Sequence, residues 1–418
     1  MEIMAEEGKS CSTGAFDDQH KKQDMEIKER LTHIRHKILV MSGKGGVGKS
    51  SVAAYLAVAL AKKGYKVGLM DVDLHGPSIP RLLGLKGSIL PGSKEGKAKP
   101  VPYSENLDVI SIEPLMGEDK DRATIWRGPL KIGVIRQFIA DIEWEDLDYL
   151  IIDSPPGTGD EPLTVAQTIP DAKALIVTTP QEISLADVRK SINFCRTVNM
   201  EILGIVENMS GFRCPHCGEV IELFKAHGGM LTAKEQGLRF LGSLPIEIEV
   251  VENGDAGRME ILDKEDSAFR EAFLRIVDSV VEICEQLSKA QAAKRAEIEK
   301  KKRDRKDGLI IAVPMANGKL SSHFGHSEQF AFVETKDGKV KKIEVKPAPP
   351  HEPGLLPRWI EQQGVDVVIT GGIGEKARSL LEEKGIEVIV GAPEQPPEVL
   401  AEQYLSNKLV SGANVCDH

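Results

Sequence analysis

The chain has 418 residues, enough for two or three domains that each bury an apolar core. Its 54 basic and 64 acidic residues give a formal net charge of −10, which offers no global attraction to nucleic acid. No run of about 18 apolar residues occurs, and the opening MEIMAEEGKSCSTGAFDDQHKK lacks an apolar signal core, so the expectation is a cytoplasmic protein with neither membrane nor nucleic-acid partner.

Residues 1–35 are polar and without sustained periodicity, and read as a mobile arm ending in a short helix. A first domain is expected over residues 36–287. It opens as strand, glycine loop and helix: KILVMS, GKGGVGKS and SVAAYLAVALAKKG. Further buried strands follow as KVGLMDVD, LDVISI, DYLIIDS, AKALIVTT and EILGIVENM, with helical stretches between most of them. This alternation predicts an α/β fold with a mainly parallel sheet covered on both faces, and ligands at the strands' carboxyl ends. SAFREAFLRIVDSVVEICEQL spaces its apolar residues as a closing helix. The charged stretch over 288–307 reads as a solvated helical linker, and residues 308–418 as a smaller α/β domain.

The segment Gly43, Lys44, Gly45, Gly46, Val47, Gly48, Lys49, Ser50 fits GxxxxGK[ST] and lies between a strand and a helix, as a phosphate-binding loop must. Backbone N–H groups there curl around phosphates, Lys49 reaches the β and γ phosphates of ATP, and the Ser50 hydroxyl ligates Mg²⁺, with Ser51 beside it. Asp71, Asp73 and Asp153 follow at strand ends on the edge facing this loop. By position Asp153 is the acid that holds Mg²⁺ through water and Asp73 the group that orients or deprotonates the attacking water, while Asp71 is open to either part or to capping its strand.

The early lysine makes KGGVGK resemble the deviant phosphate loop of the MinD, ParA and nitrogenase iron protein class. That resemblance implies a homodimer in which Lys44 reaches the partner's nucleotide, and it places the hydrolytic aspartate at Asp73. Catalysis is accordingly expected from Lys44, Lys49 and Asp73.

Six cysteines stand at positions 11, 195, 214, 217, 284 and 416, and only Cys214 and Cys217 are closely spaced, so no disulfide framework is expected. Two thiolates in the turn SGFRCPHCGEV supply two ligands to a metal or cluster. Four ligands are reached most simply by two copies of the pair across a two-fold axis. From spacing alone, zinc, an iron–sulfur cluster and a redox disulfide all remain open.

SGKGGVGKS, DVDLHGPS, IDSPPGTGDEPL and GIVENMSGFRCPHCG, in this order, closely resemble the Mrp/ApbC family of iron–sulfur cluster carrier ATPases over about residues 36–290. The resemblance implies a P-loop NTPase that binds a labile [4Fe–4S] cluster between two subunits through Cys214 and Cys217. It also implies ATP-dependent delivery to apo iron–sulfur proteins alongside cluster assembly factors, and contact of Asn208 with adenine. A zinc-stapled dimeric ATPase of the MinD or ParA positioning kind is the alternative.

From residue 308 onward, IAVPMANGKLSSHFGHSEQFAFVE, DVVITGGIGEKARSLLEEKGIEV and the final CDH resemble the dinitrogenase iron–molybdenum cofactor biosynthesis domain, which implies an RNase H-like α/β unit that handles metal clusters. Imidazole and thiolate both suit iron, so His323, His326 and Cys416 are the candidate ligands of a second site. Partner docking is the other reading of this domain.

Overall fold

The computed structural model describes residues 13–74, 76–85, 90–93, 96–113, 128–214, 216–304, 308–325, 327–336, 338–350, 354–406 and 408–409. The chain folds as two compact units, residues 1–286 and 287–418.

The first unit starts with α1 (Thr13–Thr32), β1 (Ile34–Ser42), α2 (Lys49–Lys62), β2 (Val67–Asp71) and the short α3 (Ile79–Leu82). A small hairpin of β3 (Leu90–Pro91) and β4 (Ala98–Lys99) precedes β5 (Val101–Ser104), β6 (Leu107–Ile110) and α4 (Gly128–Ala140). Then β7 (Leu147–Asp153), α5 (Asp160–Thr168), β8 (Lys173–Thr178), α6 (Glu182–Thr197) and β9 (Glu201–Glu207) alternate. A second hairpin, β10 (Phe212–Arg213) and β11 (Val220–Ile221), leads to α7 (Gly228–Gln236), β12 (Phe240–Ser243), α8 (Ile248–Asp255) and α9 (Ala268–Asp304).

The main sheet runs β12-β9-β8-β1-β7-β2-β6-β5 and is parallel except for its last pair, β5 with β6. Eight of the nine residues of β1 are buried, as expected of a central strand with helices on both faces. On one face Leu39, Met41, Met70, Ile152 and Ile176 pack with Ile135 and Phe138 of α4 and Ile192 of α6. On the other face α2 buries every residue from Val52 to Ala61, and Tyr55 meets Phe269 and Phe273 of α9 edge-on at 5.2 and 5.9 Å.

One segment differs from the sequence expectation. The chain from about residue 23 is built into the unit, not held off as an arm: Ile27 is 3% exposed within the core. Arg30 Nη1 donates to Trp144 O at 2.6 Å, and Lys97 Nζ donates to Glu26 at 2.8 Å. Ile27, with Leu31 packed against the same core, docks α1 despite its many charges, and hydropathy along that segment hides them. The closing helix and the expected helical linker form one helix, α9, as far as Asp304, because no glycine or proline interrupts residues 268–304.

The second unit comprises β13 (Ile310–Ala316), β14 (Lys319–Leu320), β15 (Gln329–Lys336), β16 (Lys339–Pro347), α10 (Leu355–Gln362), β17 (Val367–Ile369), α11 (Glu375–Glu383), β18 (Glu387–Ile389) and α12 (Pro397–Leu405). Its sheet runs β16-β15-β13-β17-β18, antiparallel around β15 and parallel from β13 to β18. Apolar clusters lie on both sides of this sheet, one around Val313, Val333 and Leu400, the other around Phe330, Phe332 and Ile360.

Candidate functional site

The glycine loop leaves the carboxyl end of β1 and enters α2 at Lys49. Gly48 has φ 78° and its backbone faces Asn208: a Cβ there would lie 2.3 Å from Asn208 Nδ2. Only glycine meets both demands. Asn208, one residue past β9, donates Nδ2 to Val47 O at 2.9 Å. Gly48 and Asn208, with Ser51, Val52, Met209, Pro245, Ile246 and Val250, border a cleft of about 280 Å³ of mostly apolar lining.

At the loop's far side, parallel pairing sets Asp71 of β2 opposite Asp153 of β7. Lys49, itself 6% exposed, donates Nζ to Asp153 and, at 3.1 Å, to Ser50 Oγ. Asp153 is fully buried, and its Oδ2 has no hydrogen-bond partner. A buried carboxylate oxygen without a partner, beside a serine hydroxyl, suits a Mg²⁺ ion or its bound water. Burial pushes the Asp153 carboxyl upward, opposed by the Lys49 charge.

Asp71 is committed to its own loop: it accepts from Asp73 N at 3.1 Å, Ser111 Oγ at 3.2 Å and Ile79 N at 3.4 Å. Burial, reinforced by the neighbouring Asp153 charge, raises its carboxyl well above the usual range. Asp73 is half-buried, and its carboxylate accepts from Gly76 N at 3.3 Å. The two aspartates therefore differ, Asp71 being fully buried and bonded three ways and Asp73 partly open to solvent. Lys44 is half-buried, with Nζ 3.5 Å from Gln181 Oε1.

Cys214 and Cys217 sit in the turn of the hairpin β10–β11, outside the main sheet. The turn is closed by Cys214 N donating to Glu219 O at 2.8 Å and Gly218 N donating to Cys214 O at 2.9 Å. Backbone N–H groups of Cys217 and His216 point at the Cys214 sulfur and lower its thiol below the ordinary value. Cys217 is exposed and Cys214 partly so. By contrast, burial raises Cys195 to about 12 and Cys284 to about 11, consistent with core packing. Beside the turn, Val220, Ile221, Leu223, Phe224 and Leu231 are exposed apolar residues.

Sequence reasoning passed over Glu207, which is fully buried at the end of β9 and collects four hydrogen bonds. The available signal was an acid closing a run of buried strand residues, directly before Asn208.

In the second unit His323 lies in the loop after β14, where its carbonyl accepts from Ser321 Oγ at 3.2 Å and Ser327 Oγ at 2.7 Å. The same loop, through Phe324, Gly325 and Ser327, borders a largely apolar cleft of about 460 Å³ with Leu356, Gly374 and Lys376. His326 and Cys416 lie outside the described residues. Among the described residues no three His, Cys, Asp or Glu side chains gather to hold a metal, and no helix is long and apolar enough to cross a membrane.

Comparison with known proteins agrees with this arrangement. Residues 33–281 match the family described as NUBPL iron-transfer P-loop NTPase, and residues 308–407 match the dinitrogenase iron-molybdenum cofactor family. The chain is similar to the iron-sulfur cluster carrier protein of Methanocaldococcus jannaschii, 48% identical over 261 residues that cover 62% of this chain and 89% of that protein. It is also similar to the cytosolic Fe-S cluster assembly factor CFD1 of Kluyveromyces lactis, 46% identical over 61% of this chain and 93% of the relative. Among solved structures, the nucleotide-binding protein of Archaeoglobus fulgidus in complex with ADP, with cobalt, is 42% identical. It aligns with 59% of this chain and 95% of its own at a TM-score of 0.51. With its strand, glycine loop and strand-end carboxylates inside a match that spans more than half its length, this chain belongs to the NUBPL iron-transfer P-loop NTPase family.

Proposed function

We propose that the protein is a cytosolic, ATP-dependent carrier that holds a [4Fe–4S] cluster as cargo between two copies of the chain and delivers it to apo iron–sulfur proteins. The observation that carries this reading is the Cys214–Cys217 turn, two accessible thiols on an exposed hairpin of a P-loop NTPase, one of them lowered toward the thiolate. One turn supplies two ligands, so a second copy completes the set of four. The apolar residues Val220, Ile221, Leu223 and Phe224 beside the thiols favour burial at such a seam. The names of the Methanocaldococcus and Kluyveromyces relatives point to the same cargo.

ATP is assigned to the loop Gly43–Ser50, with Ser51 following it, and its adenine to the cleft beside Asn208. Lys49 binds the phosphates, and Ser50 with Asp153 holds Mg²⁺, which neutralises charge on the β and γ phosphates. Asp73, free of the bonds that occupy Asp71, orients the attacking water. Lys44 reaches the partner's nucleotide, which places ATP and cargo at one seam, and nucleotide state thereby governs release. For the second unit, the match to the cofactor family supports metal handling near His323, with His326 and Cys416 as further ligands.

Anaerobic reconstitution with iron and sulfide tests the reading. Wild type is expected to turn brown, absorb near 400 nm as [4Fe–4S] proteins do (about one cluster per two chains), and run as a dimer, whereas Cys214→Ser stays colourless. A wild type that remains colourless and retains zinc defeats the cargo assignment.

A further inference from the structure

The glycine loop and the thiol hairpin meet at two adjacent residues. Asn208 donates to Val47 O within the loop. Glu207, its neighbour, is fully buried and accepts from Ser210 Oγ at 2.6 Å, where the excursion carrying Cys214 and Cys217 begins. It also accepts from His227 N at 3.2 Å and Gly229 N at 2.6 Å, where that excursion ends and α7 starts. Ser243 Oγ of β12 adds a fourth bond at 3.3 Å. One carboxylate thus pins both roots of the hairpin segment.

Two features show that this junction is built to hold one arrangement. The backbone is left-handed at non-glycine residues on both roots, with φ 57° at Met209, 69° at Lys225 and 67° at His227. Such conformations persist where surrounding bonds over-determine them. Residue 229 is glycine, and a Cβ there would lie 3.1 Å from Glu207 Oε2, so its absence lets the carboxylate reach the first amides of α7.

We infer that Glu207 is a positioning residue that transmits nucleotide loading of the glycine loop to the Cys214–Cys217 turn. This rests on the assignment of ATP to that loop and of metal cargo to that turn. A segment tied at one end would absorb a shift of Asn208 in its free leg; tied at both ends to the adjacent residue, it moves as a body. The mechanism needs an acceptor at both oxygens, because the amides of His227 and Gly229, one at each oxygen, can only donate. Glutamine has the same shape but turns an N–H₂ group toward one or more of them.

The test compares full-chain wild type, Glu207→Gln and the milder Ser210→Ala, with and without Mg²⁺ and a non-hydrolysable ATP analogue. Hydrogen exchange is followed over residues 210–229, and thiolate-to-metal absorption is read after loading with Co²⁺ alone. In wild type the nucleotide is expected to slow exchange in that segment about fivefold and to shift the cobalt–thiolate band. Glu207→Gln should bind nucleotide and Co²⁺ as wild type does, yet lose both responses; Ser210→Ala should keep about half of each. A merely structural Glu207 would leave the nucleotide dependence intact in any variant that still folds, and that result overturns the inference. Wild type that binds nucleotide and shows the band, yet responds in neither readout, overturns the coupling and leaves both sites standing. Wild type without the band defeats the metal assignment on which the inference rests.

Discussion

Replacing Gly48 with alanine tests the contact between the glycine loop and β9 in a way that separates two physical effects. The first is backbone strain: at φ 78° an alanine costs roughly 1–2 kcal/mol. The second is displacement, since the new methyl would sit 2.3 Å from Asn208 Nδ2 and expel the amide from Val47 O. Losing that buried hydrogen bond costs about 1–3 kcal/mol, so Gly48→Ala should destabilise the first unit by about 2–5 kcal/mol. Asn208→Ala alone removes the bond without the strain and should cost about 1–3 kcal/mol. Because the first substitution already breaks the bond, the double variant should be no less stable than Gly48→Ala alone. That is an interaction energy of about 1–3 kcal/mol relative to simple addition. Urea unfolding of the full chain in a Trp359→Phe background leaves fluorescence to Trp126 and Trp144, both before residue 287. Destabilisation of the double variant equal to the sum of the single ones would refute the steric account.

The other predictions concern buried charge. Lys49→Ala should lower stability by about 3 kcal/mol at neutral pH in addition to abolishing ATP binding, because it strands Asp153 in a fully buried position; adding Asp153→Asn should recover most of that loss in urea unfolding. His36 is 1% exposed, neither ring nitrogen makes a hydrogen bond, and burial, with Arg35 nearby, lowers its pKa from 6.5 to about 4. The folded chain therefore resists its protonation: the contribution is complete above pH 6.5 and falls by at most about 3 kcal/mol as pH drops through 4. His36→Leu should flatten that part of the curve of urea midpoint against pH, and an unchanged curve would show that the ring is solvated.

Where chemistry imposes a local pattern, the sequence is legible. GKGGVGKS must follow a strand and open a helix, and β1 and α2 flank it accordingly; DYLIIDS and AKALIVTT are continuous apolar runs because β7 and β8 are covered on both faces. The thiol turn is equally local, since backbone bonds among Cys214, Gly218 and Glu219 close it within a few residues. What stayed hidden depends on tertiary contact. Nothing in the hydropathy of α1 distinguishes Ile27, which docks, from Met25, which is 71% exposed. The division of labour between Asp71 and Asp73 follows from which one the loop amides and Ser111 reach, and Ser111 is distant in sequence. Glu207 reads as a strand-end acid until the amides of His227 and Gly229 are folded back onto it.

The contrast among the described cysteines also has a consequence for handling the protein at the bench. Cys195 and Cys284 are sealed in the core with raised thiols, while Cys214, lowered by the amides of its own turn, stands beside exposed Cys217. Among these four described cysteines, air or a mild alkylating reagent will find the hairpin pair first. A preparation made aerobically can then fold and pass every test of purity with the Cys214–Cys217 pair chemically blocked. Once Cys11 and Cys416 are replaced, the same selectivity offers a means of attaching a reporter to the hairpin without touching the core thiols.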